Sequence, residues 1–314
     1  MPQRGLEKSR GALVRGRQVG HDCGEYNSGI SDLFRSAVQA IDAGDNGELQ
    51  RLLTSHPELA CDRLDAPGAW LRDRIGDAAD GFFARPYLLW FVAEDPVRNG
   101  RLPANIVEVT RTIVGVAQRT CADRLREQLD YALRLVALSW IARQCDVQIG
   151  LIDVLLDAGA STENAADTAL VNGNVAAAAH LVERGAPLTL ATAVCLARWE
   201  DADRLAASST VREQQLALVL AALRGRAEAL RYLLDRGVDA NTVSPDLYSH
   251  ATALHHAVHP GSLDAVQVLV EAGARLDVKD TAYGGTPLGW ADSSGKKHPY
   301  DEIAAYLRRK HGTQ

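Results

Sequence analysis

Histidines in the C-terminal third are the first residues whose type and spacing could support chemistry. His255 and His259 lie four residues apart, which would place two imidazoles on one face of a helix. A zinc protease motif requires Glu directly after its first His, and His256 occupies that position instead. His250 precedes them, but no compelling further ligand follows in sequence. We therefore predict no metal site and interpret these histidines as structural.

Cysteines are the second possible source of reactivity, and they stand at Cys23, Cys61, Cys121, Cys145 and Cys195. Their number is odd and no two form a C-x-x-C pair, which predicts reduced thiols in a cytoplasmic protein. All but the first lie in or beside apolar helical sequence, where a thiol is typically a small buried hydrophobe. The motifs G-x-S-x-G and G-x-G-x-x-G are both absent. We predict no catalytic residue, no cofactor and no enzymatic activity.

Charge and hydropathy exclude further classes of partner. The 314 residues carry a formal net charge of -6, which argues against nucleic-acid binding. No apolar run approaches the ~18 residues of a membrane span, and the N-terminal sequence lacks the apolar segment of a secretory signal. The sequence contains 29 Arg and 5 Lys, and this preference for Arg favours a GC-rich, bacterial source. We expect a monomer that binds neither membranes nor nucleic acids.

One short phrase recurs along the chain: two apolar residues, two further residues, then Gly with Ala or Val. It occurs at 155–160, 181–186, 233–238 and 269–274. Gly just beyond a helix takes the left-handed conformation that ends it. A second signal, at 252–257 and 286–291, places Thr before a helix and small residues within it. Together the two signals predict successive pairs of short, closely packed helices.

These residues resemble the ankyrin repeat, whose signature is T-P-L-H-x-A followed by a helix that ends in L-L-x-x-G-A. The resemblance is strong over 245–312, good over 124–187 and 212–244, and weakest over 188–211. It implies an all-α solenoid of stacked helix-turn-helix units, with about seven repeats including degenerate ones. It also implies that His255, at the His of the signature, forms a hydrogen bond between neighbouring repeats.

The expected organisation has three parts. A flexible tail covers 1–30, degenerate N-terminal repeats cover 31–123, and the ankyrin-repeat array covers 124–312. Within the second part, the insertion 62–84 interrupts the repeat pattern. Periodic helical sequence is expected to begin near Ser31, a plausible N-cap.

The insertion and the segment after it are rich in aromatic residues, which leaves three interpretations open. The aromatics could pack together as an N-terminal cap, since solenoids need atypical end repeats. They could instead form a partner-binding patch, because exposed aromatics are favoured anchors. A third alternative is an enzyme or small-ligand-binding protein with a pocket within 62–91. The patch residues would be Trp70, Phe82 and Phe83.

The resemblance implies a non-enzymatic protein–protein interaction scaffold that binds a protein partner. Ankyrin stacks use projecting loops and the concave face lined by the first helices, and by position the loops here are 240–251 and 277–285. Tyr and Asn on loops make adaptable contacts at low entropic cost. The candidate contacts are Asn241, Asp246, Tyr248, Ser249 and His250 in the first loop, and Asp277, Lys279, Asp280 and Tyr283 in the second. The partner itself cannot be named from the fold.

Overall fold

The computed structural model describes residues 23–294 and 298–312, and their regular structure is helical. Three short 3-10 helices cover Pro57–Ala60, Gly76–Ala79 and Leu88–Ala93. The α-helices are α1 Cys23–Ala43, α2 Asn46–Ser55, α3 Ala69–Ile75, α4 Ile106–Thr120, α5 Ala122–Leu138, α6 Trp140–Gln144, α7 Gln148–Asp157, α8 Ala165–Val171, α9 Val175–Glu183, α10 Leu190–Cys195, α11 Trp199–Ala206, α12 Val211–Leu223, α13 Ala227–Leu234, α14 Ala253–Val258, α15 Leu263–Glu271, α16 Pro287–Ser293 and α17 Tyr300–His311.

Successive helices pack as pairs, and the described chain contains eight of them. The pairs are α1 with α2, Leu88–Ala93 with α4, α5 with α7, α8 with α9, α10 with α11, α12 with α13, α14 with α15, and α16 with α17. From α5 to α16, the first helix of each pair also contacts the first helix of the next. The all-α solenoid is therefore confirmed, with eight pairs where the sequence predicted about seven repeats.

The two sequence signals form the local structures expected of them. The Thr286 hydroxyl accepts a hydrogen bond from the Gly289 backbone at 3.1 Å and so caps α16. Gly273 follows α15 with a φ of +91°, a conformation that costs glycine little. Alanines such as Ala221 and Ala257 are fully buried, so neighbouring helices can approach closely.

The first helix begins earlier than expected. α1 starts at Cys23, not near Ser31. An apolar stripe at a spacing of four runs back from Val38 through Phe34 to the half-buried Ile30, so the helix continues on the N-terminal side of Ser31. The rest of the tail expected at 1–30 lies outside the described residues.

The insertion contains α3, and its three aromatic side chains differ in burial. Phe83 is fully buried, and its ring centroid lies 5.2 Å from that of Phe91 and 6.1 Å from that of Trp90. The expectation that Phe83 contacts a partner is therefore wrong, because its side chain is core. Trp70 is half-buried against the same core, whereas Phe82 is 55% exposed.

A buried ion pair anchors the segment after the insertion. The Glu94 and Arg98 side chains are both almost fully buried, with a carboxylate oxygen 3.1 Å from a guanidinium nitrogen but not aligned for a hydrogen bond. Glu94 also accepts a hydrogen bond from the Gly100 backbone at 2.8 Å. Arg98 reaches Asp42 on α1 at 2.6 Å, and donates to the Phe91 carbonyl at 2.6 Å. The pair thus joins this segment to the first helix.

Two cysteines form a disulfide, which corrects the expectation of reduced thiols. Cys61 follows Pro57–Ala60 and Cys121 follows α4, and these two elements pack together. Their packing brings the two Cα atoms to 5.8 Å, within the range of a disulfide. Cys195 is a buried free thiol, as expected, and Cys145 is a half-buried one.

Candidate interaction surface

The two predicted loops lie before α14 and before α16, and most of their candidate residues are accessible. Tyr283 is 86% exposed and Tyr248 is 49% exposed. Asn241 and His250 are half-buried. The other accessible candidates are Asp246, Ser249, Asp277 and Lys279. A hydrogen bond of 2.8 Å from the Thr281 backbone to the His250 carbonyl joins the second loop to the first.

Asp280 is an exception, because it is buried and serves the loop itself. Its carboxylate accepts hydrogen bonds from the backbones of Ala282 and Gly285 at 2.9 and 2.8 Å, and from the Trp290 indole at 2.9 Å. These donors hold the pKa of the carboxyl well below its usual range, although burial opposes them. The expectation that Asp280 contacts a partner is therefore wrong: its acceptor atoms are used to fold the second loop.

Two further candidates, Asn241 and Asp246, form side-chain contacts with neighbouring parts of the chain. Asn241 accepts a hydrogen bond from the Arg275 backbone at 2.8 Å, which links the starts of the two loops. Asp246 forms a bidentate ion pair with Arg212 at the start of α12, and one of its two contacts measures 2.6 Å. This pairing lowers the pKa of the Asp246 carboxyl. Both residues therefore fix the loop backbone beside the more exposed tyrosines.

Tyr248 has an unusual backbone that a buried histidine holds in place. Its φ is +45°, a left-handed conformation that is uncommon for residues other than glycine. His256 on α14 is buried, and its Nε2 lies 3.2 Å from the Tyr248 carbonyl oxygen, to which the Nε2–H tautomer donates. Burial lowers the pKa of His256 to about 4, so the neutral imidazole is the form that supports this loop.

His255 forms the contact that the repeat signature implies. Its Nδ1 accepts a hydrogen bond from the Thr252 backbone at 3.3 Å, which assigns the proton to Nε2. Nε2 then donates to the Gly285 carbonyl at 3.1 Å, in the next pair of helices. Burial is the main cause of its lowered pKa. The predicted structural role of His255 is confirmed.

A groove of about 490 Å³ lies beside these loops, and we call it the C-terminal groove. Its volume is within the range of small-ligand sites. It spans from α8 to α16, but no residue of α10 lines it. The lining residues are Val171, Asn172, Leu223, Arg224, Tyr248, His250, His256, His259 and Trp290.

Aromatic rings gather around Trp290 at this groove. The His255 ring lies 5.1 Å from the indole, and the His250 ring stacks on it at 6.1 Å. Tyr248 lies 5.9 Å from His256, which in turn meets the indole edge to face. Flat π-surfaces of this kind can pack against side chains of a bound segment.

Two of these groove residues, His256 and Trp290, were not among the predicted contacts, yet the sequence contains a signal for them. Both occupy the variable position x of T-P-L-H-x-A, in consecutive repeats. In the first of these repeats Leu254, His255 and Ala257 are buried, and the side chain at x is the one that lines the groove. Arg224, which ends α12, has no comparable signal.

A second groove, of about 610 Å³, lies beside the insertion and bears on the small-ligand alternative. It is open to solvent, and Trp70 does not line it. Trp90 packs on Tyr131 with ring centroids 4.2 Å apart, and the guanidinium of Arg63 pairs with Glu127. The small-ligand alternative requires a closed cavity that holds two or more titratable groups near Trp70 and Trp90. This groove holds titratable groups, among them Glu127, Asp130 and Glu163, but it is not closed.

The described residues contain no cluster of three or more metal-ligating side chains. None of the helices in residues 23–294 and 298–312 combines the length and apolar content needed to cross a bilayer.

Comparison with known proteins identifies the repeats. A family model described as ankyrin repeats (3 copies) matches residues 189–280 and 218–314. These matches include 189–211, where the resemblance to the repeat signature is weakest. The structure explains why, because α10 and α11 form an ordinary pair there despite their short sequence.

Curated relatives cover about a third of the chain or less. The rat protein Cyclin-dependent kinase 4 inhibitor B is 33% identical over 125 residues, which span 30% of this chain and 92% of the relative. Human Protein phosphatase 1 regulatory subunit 27 is 42% identical over 77 residues, or 24% of this chain and 45% of the relative.

Among solved structures, the human ASB11 ankyrin repeat domain aligns with 70% of this chain and 96% of its own, at 18% identity and a TM-score of 0.35. The family assignment depends instead on the matched repeats and on the rat relative, which this chain covers almost completely. The chain belongs to the ankyrin-repeat family.

Proposed function

We propose that this chain is a non-enzymatic scaffold that binds a protein partner through its C-terminal loops and the C-terminal groove. The observation that carries the proposal is the exposure of Tyr248 and Tyr283 on two joined loops beside that groove. Exposed aromatic side chains on a braced backbone are typical anchors of protein interfaces, because little entropy is lost when they bind.

The names of two relatives support a regulatory form of this function. One is named as an inhibitor of cyclin-dependent kinase 4, and the other as a regulatory subunit of protein phosphatase 1. Both names describe proteins that act on an enzyme without being named as one. We propose the same general role here, with a partner whose identity is open.

The test begins with affinity capture from the native cell, followed by reconstitution with the purified partner. Replacing Tyr248 and Tyr283 together by Ala should weaken binding at least about tenfold, the loss of two anchor residues, with the melting temperature unchanged. Phe82→Ala removes an exposed aromatic from the insertion and is the matched control. Unaltered affinity in the double variant would reject this surface, and loss of binding in Phe82→Ala would favour the insertion.

We also propose that the chain is a monomer, which sedimentation at high concentration tests. In the proposed organisation, degenerate repeats cover 31–123, with the insertion 62–84 inside them, and the array covers 124–312.

The Cys61–Cys121 disulfide bears on the predicted cytoplasmic location, because a disulfide persists more readily in oxidising compartments. The bacterial source suggested by the Arg content gains no support from the rat and human relatives.

A further inference from the structure

Arg224 lines the C-terminal groove without an acidic partner. Its side chain is partly buried, and it has neither an ion pair nor a hydrogen bond among the described residues. The Nε atom is buried with no hydrogen-bond partner. Burial lowers the pKa of the guanidinium, and the nearby Arg143 adds to this effect. A guanidinium in such a place remains charged, so the groove contains a cation that none of the described residues neutralises.

Arg143, three pairs before Arg224, brings a second positive charge to the same place. It donates a hydrogen bond to the Gly173 carbonyl at 2.8 Å. A Cβ on Gly173 would lie 2.7 Å from one Arg224 nitrogen and 3.7 Å from one Arg143 nitrogen. The two guanidinium groups therefore approach each other across a glycine, and a larger residue there would displace Arg224.

No carboxylate lines this groove, which distinguishes it from the groove beside the insertion. There, Arg63 is paired with Glu127, and Asp130 and Glu163 also line the wall. Although the net charge is -6, the described lining of this groove thus contains no acid. The complementary ligand is an anion, since an unpaired cation in a half-buried site gains most from a charged acceptor.

We propose that the C-terminal groove binds the carboxylate of an Asp or Glu side chain in an extended segment of the partner protein, with Arg224 as the counter-ion. This inference rests on the proposed function and names the chemistry of the partner at that site. The rings of Trp290, His250 and Tyr248 pack against the neighbouring residues of the segment. One carboxylate matches one guanidinium fork in both geometry and charge.

A phosphate group fits this groove less well. Arg224 is the one guanidinium among the lining residues, and Arg143 already donates to a backbone carbonyl. A phosphate presents three acceptor oxygens, and a single guanidinium fork can bind two of them, so one oxygen would lack a charged donor in a half-buried position, which is costly. The apolar lining, Val171 and Leu223, also favours a peptide with apolar neighbours on either side of the acid.

The test uses the full chain and three capped tripeptides, with Leu and Phe flanking Glu, Gln or phosphoserine. NMR titration follows the indole resonance of Trp290 and the amides of Tyr248 and His250, with the Trp90 indole as a reference at the other groove. The Glu peptide should shift the first set in a saturable manner, with a low-millimolar dissociation constant. The Gln peptide should bind about tenfold more weakly, because a charge-assisted hydrogen bond becomes a neutral one.

Variants then assign the preference to one side chain. Arg224→Gln should remove the difference between the Glu and Gln peptides, whereas Arg226→Gln, an exposed arginine two residues away, should preserve it. Equal affinity for the two peptides in the unaltered chain would overturn the proposal without any variant. So would a preference that survives Arg224→Gln, or binding of the phosphoserine peptide alone.

The outcomes also separate this proposal from the function on which it rests. Partner binding that depends on Tyr248 and Tyr283 but not on Arg224, together with no Glu preference, would leave the scaffold intact and reject the carboxylate site. Loss of both dependences would reject the C-terminal surface altogether.

Discussion

The indole nitrogen of Trp290 lies 2.9 Å from a carboxylate oxygen of Asp280, so the loop before α16 is fastened to the helix that follows it. The same carboxylate caps the loop backbone at Ala282 and Gly285. One buried acid therefore sets both the shape of the second loop and the position of the aromatic ring that lines the groove. The exposed Tyr283 depends on this arrangement, although it contributes nothing to the core.

Replacing Asp280 by Ala should lower the free energy of unfolding by about 2–3 kcal/mol, because several donors lose a charged acceptor. Urea denaturation at pH 7 measures the change. Asp277→Ala is the control: Asp277 is exposed and pairs with Arg275 two residues away, so its loss should leave the urea midpoint almost unchanged. Similar effects in the two variants would contradict the anchoring role of Asp280.

The Glu94–Arg98 pair provides a second stability prediction. Arg98→Met should destabilise the chain by about 3–5 kcal/mol, since it leaves a buried carboxylate uncompensated. Arg72→Met removes an exposed arginine that pairs with Asp80, and it should leave the denaturation midpoint almost unchanged. Chemical denaturation of both variants measures the two changes in the free energy of unfolding. A mild effect of Arg98→Met would mean that water reaches Glu94.

The buried His256 predicts a dependence of stability on pH. Its pKa is about 4 in the folded chain and 6.5 as the reference value. At pH values between these two, the unfolded chain binds a proton at His256 and the folded chain does not. The free energy of unfolding therefore falls as the pH drops from 6.5 towards 4. Full expression of the shift would cost up to ~3 kcal/mol.

His256→Gln should reduce this loss between pH 7 and pH 5, measured by urea unfolding at each pH. Comparison with the unaltered chain is needed because Asp95, whose pKa burial raises to about 6, changes stability in the opposite direction. His311→Gln, at the exposed end of α17, is the control and should preserve the full loss. An unchanged pH dependence in His256→Gln would show that the imidazole is hydrated.

The disulfide predicts a chemical map and a change in stability. Peptide mapping without reductant should recover Cys61 and Cys121 in one linked peptide pair. Since 60 residues separate the two cysteines, reduction should lower the free energy of unfolding by about 4 kcal/mol on the loop-entropy model. Alkylation of both residues in the native, unreduced protein would contradict the bond.

Cys195 serves as an internal reference for that experiment. Burial raises the pKa of its thiol to about 12, so it should resist alkylation in the folded chain and react after unfolding. Rapid reaction of Cys195 in the folded state would indicate local opening around α10 and invalidate the comparison.

The sequence was informative wherever a repeat motif determines the backbone. Thr286 and Gly273 start and end helices as predicted, and His255 joins neighbouring repeats. These roles depend on residues close in sequence or one repeat away, so a motif is enough to reveal them.

What the sequence could not supply depends on contacts without a regular spacing. Phe82 and Phe83 are adjacent, yet one is exposed and the other is core, and no helical period in the insertion distinguishes them. The disulfide requires that α4 packs on Pro57–Ala60. The importance of Arg224 depends on the lack of carboxylates in the described lining of the C-terminal groove, which only the folded arrangement reveals.

The span of the C-terminal groove has a consequence for how this protein can change. Ankyrin repeats are usually regarded as interchangeable units, but this groove combines Asn172 after α8 with Arg224 after α12, and α10 lies between them without lining it. Insertion or deletion of one whole repeat between these helices would retain each lining residue and still change the distance between the two walls of the groove. The number of repeats in this stretch therefore helps to determine what the groove can bind, and we expect it to be under the same selective constraint as the lining residues.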